Sequence, residues 1–188
     1  MFDIVCYLGG TCGDLVVAMI DSSGAAVKNG AVKIDAERQR LKKSWQFQSD
    51  QDRNLYVKLM QSQYRSIPSH DPDYHLRNNQ SFVAVVVKEK STARWAAQRF
   101  KDLHRTRVWQ EMQSVNNADS IEKYAQDMLD WSSWINQYTT QTIGLEDIIS
   151  GRAHDTLSSI ITIDTTGINF YNQWLQVQNE TSNHSDSR

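Results

Sequence analysis

An apolar stretch from Phe2 to Leu8, broken only by Asp3, runs into Gly9-Gly10-Thr11-Cys12-Gly13-Asp14 and then into a second apolar stretch, Leu15 to Ile20. That order reads as a buried strand, a tight glycine turn and the opening of an apolar helix. A chain that starts this way is directed toward the α/β class, where strands and helices alternate along the sequence. Gly9, Gly10 and Gly13 adopt positive φ at little cost and let the backbone approach an anion, while the N–H groups of the helix start at Asp14 to Val17 point toward it. The same glycines also serve a chain that only has to turn. The segment Gly10, Thr11, Cys12, Gly13, Asp14 and Leu15 is therefore either a nucleotide-binding loop or a plain strand-to-helix turn.

The rest of the chain supplies the partners such a unit needs. Phe82-Val83-Ala84-Val85-Val86-Val87 is a continuous apolar run of the kind buried on both faces of a parallel sheet. Strands are expected at 2–9, 64–68, 82–88 and 142–145, with helices at about 93–113 and 120–137, a turn of helix at 146–150, and a last packed helix around Tyr171, Trp174 and Leu175. Asp21-Ser22-Ser23-Gly24 is turn chemistry that closes the first helix, Ala36 to Lys43 reads as helix, and Thr156 to Ile163 is a helix or an apolar strand. With 188 residues the chain holds one sizeable core. The expected fold is a single α/β domain over 1–178, its mostly parallel central sheet flanked by helices, followed by a disordered polar tail over 179–188.

Composition narrows the partners. The net charge of −2 carries no global signature of a nucleic-acid binder, so any such surface is a local patch. No stretch approaches the ~18 apolar residues of a membrane span, and the N-terminus has no basic lead-in of a secretory signal. A soluble, cytoplasmic protein without a membrane partner is expected. Cys6 and Cys12 are too few for a disulfide framework or a four-ligand zinc site.

A regular phosphate-binding loop of the Walker A type reads G-x-x-x-x-G-K-[ST], and here Gly13 is followed by Asp14 and Leu15. Both the phosphate-binding cation and the metal-binding hydroxyl are displaced. Even so, Tyr7 to Leu15 resembles the P-loop variant of nucleotide kinases and sulfotransferases. Pro68-Ser69-His70 is similar to the extended segment that carries the sulfotransferase histidine, and Phe82 to Arg99 to the strand, turn and helix that grip the donor phosphate. Leu145-Glu146-Asp147-Ile148-Ile149 resembles a stretch near the end of that fold. The Gly-Gly-Thr-Cys-Gly-Asp form also looks like small bacteriophage P-loop proteins, among whose relatives are kinases of 5-hydroxymethyluracil in DNA. This resemblance implies a P-loop kinase-like phosphotransferase that uses ATP with Mg²⁺ and takes DNA with a modified pyrimidine as acceptor. Its alternatives are a sulfotransferase using a sulfated adenosine nucleotide, and a non-catalytic relative that keeps the fold.

Phosphoryl transfer requires donors around the phosphates, usually a magnesium ion, and a base for the acceptor hydroxyl. Asp14 is the candidate metal ligand, or else a helix-start acid that interacts with the dipole. His70 and Asp71, in the loop fixed by Pro68 and Pro72, are the candidate base and its partner, or else His70 is a surface-loop histidine with no part in chemistry. Lys88, Arg94 and Arg99 are the candidate cations for the donor, with Lys90, Lys101, Arg105 and Arg107 on the same segment; the other reading is a solvated helix face. Arg38, Lys42, Tyr74 and Arg77 are candidate acceptor contacts, with Arg40, Lys43 and Trp45 nearby, able to meet phosphate and stack a base; the other reading is an ordinary exposed helix and a buried Trp.

Overall fold

Val83 and Val85 alternate with Ala84 and Val86, so their side chains leave opposite faces of one strand, and all four are buried. Such a strand needs cover on both sides. The computed structural model, which describes residues 3–28, 30–39, 49, 51, 58, 61–103 and 120–185, shows how it is covered. In chain order the elements are β1 (Asp3–Cys6), α1 (Gly13–Ile20), β2 (Ala26–Lys28), β3 (Ala31–Lys33), β4 (Ser66–Ser69), α2 (Pro72–Arg77) and β5 (Val83–Val86). Then follow α3 (Lys90–Leu103), α4 (Ser120–Ile135), β6 (Thr142–Gly144), α5 (Leu145–Ile149), α6 (Ala153–Ser158) and α7 (Thr165–Ser185).

The four-stranded sheet has the order β4-β1-β5-β6 and every pairing in it is parallel. Val5, Tyr7, Val83, Val85 and Ile143 share one core with all of the apolar side chains of α1, with Ala93, Ala96 and Ala97 of α3, and with Phe170, Tyr171 and Trp174 of α7. On the other face Ile4, Cys6, Ala84 and Val86 meet Tyr74 of α2 and Ile135 of α4, with Trp131 and Trp134 packed against them. Each large apolar side chain so covered contributes roughly 1.5–3 kcal/mol relative to exposure. Helix α1 is apolar all round because the sheet lies on one side and α7 on the other. Gly167 is the crossing point: a Cβ there would stand 1.9 Å from the Met19 carbonyl oxygen.

The four expected strands are all present, three of them shortened within the expected ranges and the one expected at 64–68 found at Ser66–Ser69. Proline fixes the start of α2, where Asp71 caps and Pro72 occupies the first turn. Three expectations need correction. The antiparallel hairpin β2–β3 follows the expected turn in a segment for which no element was expected, and its positive-φ glycine is Gly30. Helix α3 begins at Lys90, ahead of the expected Ser91 or Thr92 cap, and the continuation past Leu103 lies outside the described residues. The polar segment 179–185, read as disordered tail, continues α7 as helix. Among the described residues, no helix is long and apolar enough to cross a membrane.

Candidate functional site

The strand order decides where a ligand would sit. From β1 the chain goes to β4 on one side, and then crosses to β5 on the other, so the connections reverse between β1 and β5. In open parallel sheets the crevice outside the carboxyl ends of the strands at such a reversal is the binding place. The loop after β1, His70 after β4, Lys88 after β5 and Glu146 after β6 all lie at that end.

The loop after β1 is built inward. Gly10 has φ +89°, and a Cβ there would meet the Ala96 carbonyl oxygen at 2.4 Å. A Cβ on Gly9 would meet the Phe100 ring at 2.4 Å, and one on Gly13 the Tyr7 ring at 1.9 Å. Helix α3 therefore lies directly on the loop, and the Tyr124 hydroxyl of α4 donates to the Gly9 carbonyl at 3.0 Å. Phe100 and Tyr124 pack ring to ring at 5.2 Å over it. Burial pushes the Tyr124 phenol up, so it stays a donor. The space beside the glycines is filled by the protein itself, the arrangement expected of close helix-on-loop packing.

Cys12 precedes α1 in left-handed conformation, and its carbonyl accepts from the Leu15 and Val16 N–H groups. Burial raises the pKa of its thiol; the Arg99 charge pulls it down and the Asp14 charge adds to the rise. Thr11 is buried, and its hydroxyl donates to the Leu8 carbonyl at 2.7 Å. Leu15 is a core residue, available to a ligand only through its backbone.

Asp14 is partly exposed in the first turn of α1, and accepts a hydrogen bond from the Tyr7 hydroxyl. Burial, then the charge and hydrogen bond of Asp14, hold the Tyr7 phenol well above its ordinary pKa. The Tyr7 carbonyl accepts from His70 Nδ1 at 2.6 Å, and the two rings stand edge to face with centroids 4.7 Å apart. With Nδ1 protonated by this bond, the lone pair of the neutral ring lies on Nε2. His70, Tyr7 and Asp14 thus form one group at the junction of β1 and β4. Tyr7 was not singled out in the sequence, where an aromatic at the end of a buried strand reads simply as core.

Asp71 has a structural task besides the expected one. Its Oδ1 accepts from the Tyr74 N–H at 3.1 Å as the cap of α2, and the group that fixes the His70 tautomer is a backbone carbonyl. Among the cations, Lys88 is exposed and its backbone N–H donates to Glu146 Oε1 at 2.9 Å, as does that of Glu89. Glu146 therefore holds the turn that leaves β5. Arg94 is exposed and paired with Glu122, which Lys90 also approaches at 3.9 Å. Arg99 turns toward α7 and the hairpin, donating to Gln178 Oε1 at 2.8 Å and to the Gly30 carbonyl at 2.6 Å.

The expected acceptor contacts do not gather. Arg38 is fully buried and Tyr74 lies in the core of the second face, so neither presents its polar end to a ligand. Arg77 is exposed, and its Nε donates to the Asp73 carbonyl at 3.4 Å. Lys42, with Arg40, Lys43, Trp45, Arg105 and Arg107, lies outside the described residues. No family model, no curated protein and no solved structure matches the chain.

The fit to a bound donor can be judged on these groups. The helix start and the positive-φ residues Gly10 and Cys12 supply backbone donors suited to phosphate. For a hard divalent cation the described residues contain no cluster of three or more His, Cys, Asp or Glu. Magnesium in phosphoryl-transfer sites is usually bound by one or two carboxylates together with the substrate's phosphates. Asp14 fits that use.

Proposed function

We propose that this chain is a P-loop-type phosphotransferase that moves the γ-phosphoryl group of a nucleoside triphosphate to a hydroxyl, the acceptor being the hydroxymethyl group of 5-hydroxymethyluracil in bacteriophage DNA. The observation that carries the reading is the His70–Tyr7–Asp14 group at the carboxyl edge of a parallel sheet, at the point where its connections reverse. His70 takes the acceptor proton on Nε2 while the acceptor oxygen forms the new bond to phosphorus and the bridging oxygen leaves with the diphosphate. Its Nδ1 bond to the Tyr7 carbonyl favours the tautomer this requires. Backbone N–H groups at the start of α1 face the donor phosphates, and Lys88 supplies the positive charge that the loop lacks. Asp14 would hold Mg²⁺, which in such sites neutralises charge on the phosphates. A base stacked within duplex DNA must be turned out to reach such a site.

The filled space beside Gly9, Gly10 and Gly13 favours a second reading, a relative that keeps the fold without turnover. The test is transfer of ³²P from γ-labelled ATP to DNA containing 5-hydroxymethyluracil, with and without Mg²⁺, against thymine DNA. The proposal expects label on the modified DNA only, dependent on Mg²⁺, and reduced about 10²-fold or more in His70→Gln. Metal-independent transfer of ³⁵S from a sulfated adenosine nucleotide would replace it with a sulfotransferase. Absence of both transfers, with no shift in melting temperature on adding ATP, would favour the non-catalytic reading.

A further inference from the structure

The opposite end of the sheet carries a second concave feature. The segments that enter β5 and β6 face each other across a groove of about 500 Å³, within the ~300–1,000 Å³ usual for small-ligand sites. The side-chain amides of Asn79, Gln80, Asn136, Gln137 and Gln141 line it with the ring of Tyr138, and no charged side chain does. Amides offer donors and acceptors together and make no ionic demand. They match a ligand that is uncharged and rich in hydroxyls. Tyr138 is 54 % exposed, a flat surface backed by Trp134 at 5.2 Å between ring centroids.

One of these amides is fixed from behind. Gln80 Oε1 accepts from Nδ1 of the fully buried His75 at 2.8 Å, and His75 Nε2 accepts from the Ser69 hydroxyl at 2.8 Å. Ser69 Oγ in turn accepts from the Asp71 N–H at 3.1 Å. This buried chain holds the Gln80 carboxamide so that its NH₂ end is directed away from His75, and that NH₂ has no acceptor among the described residues. A donor held in place before a ligand arrives reduces the ordering cost of binding.

We propose that this groove is a binding site for a neutral sugar, with Tyr138 against the apolar face of the ring and the amides on its hydroxyls. A nucleobase presents one planar hydrogen-bonding edge between two stacking faces. Here the amides come from two separate segments and the lining has one exposed ring, which fits groups distributed around a sugar. Strand β5 with its flanking residues separates the groove from the glycine loop by ~15–20 Å. The proposal is independent of the phosphotransferase reading.

The experiment is saturation-transfer NMR and calorimetric titration of the full chain with glucose, N-acetylglucosamine and maltose, with uridine and thymidine as rivals. Saturable binding of at least one sugar is expected, weakened tenfold or more in Tyr138→Ala and in Asn136→Ala, two exposed positions whose variants should keep the wild-type melting temperature. Gln80→Glu keeps an acceptor for His75 while removing the NH₂ donors, and should weaken binding as well. No binding of any of the three sugars at tens of millimolar, or binding unchanged in Tyr138→Ala and Asn136→Ala, overturns the proposal. Binding of the nucleosides without the sugars overturns it in favour of a base site.

Discussion

Replacing Arg38 by Met tests whether this residue belongs to the core or to a nucleic-acid surface. The guanidinium has no solvent exposure. Its Nη1 donates to the Asp21 carbonyl and its Nη2 to the Ser23 carbonyl, each at 2.9 Å. Nη2 lies 3.2 Å from Asp21 Oδ2, and Nε lies 3.3 Å from Asp35 Oδ2 in an ion pair whose angle falls short of a hydrogen bond. The Tyr64 ring covers the cation at 4.3 Å. Met fills a similar volume but takes the positive charge away from two carboxylates and the side-chain donors away from two carbonyls. Removing one partner of a buried ion pair costs about 3–5 kcal/mol. In a chain of this size each kcal/mol lowers Tm by about 2–4 °C, so the expected fall is about 6–20 °C. Urea denaturation followed by far-UV circular dichroism reads the loss directly, with an unchanged slope against denaturant if only stability has changed. A loss below about 1 kcal/mol at unchanged slope would refute the reasoning. A fall in DNA affinity without that loss would return Arg38 to the surface reading.

Gly13→Ala should destabilise by about 1–3 kcal/mol, because the added methyl meets the Tyr7 ring at 1.9 Å and that ring is packed on both the helix and His70; wild-type stability in urea would contradict the packing. Burial pushes the Asp21 carboxyl up, but hydrogen bonds from Ser23 and the Arg65 N–H, with the Arg38 charge, together hold it below the ordinary 3.8. Its contribution is thus fully present above pH 3.8 and lost as the pH falls through the lower folded value. Asp21→Asn should flatten that part of the acid-stability curve, and an unaltered curve would count against it. Glu146→Ala should cost about 1 kcal/mol and speed hydrogen exchange at the Lys88 and Glu89 amides, since both donate to its Oε1 at 2.9 Å. Unchanged exchange at both amides would show that the turn holds without it.

Local pattern in the sequence was enough for the four strands of the parallel sheet and the helices that follow the first and third of them, though not for the β2–β3 hairpin or α2. Apolar runs at Phe2–Leu8 and Phe82–Val87, two prolines around His70 and the glycine turn all act within a few residues, so a linear reading captures them. It also sufficed to bring His70 and the glycine loop to one end of the sheet, because parallel strands put all the loops that follow them on the same edge. What the chain keeps apart in sequence was decided only by folding. Arg38 reads as one cation in a basic run, yet its carboxylate partner Asp21 lies 17 residues back, and together they close a buried ion pair. Asp71 reads as a partner for the neighbouring histidine, and only the fold shows that one of its oxygens also caps α2. The glycines of the first loop illustrate the division most directly. The sequence determined that the backbone there is free to turn. That α3 and Tyr7 fill the space beside it depends on contacts between segments up to about ninety residues apart, such as Gly9 with Phe100, and no local propensity encodes such a contact.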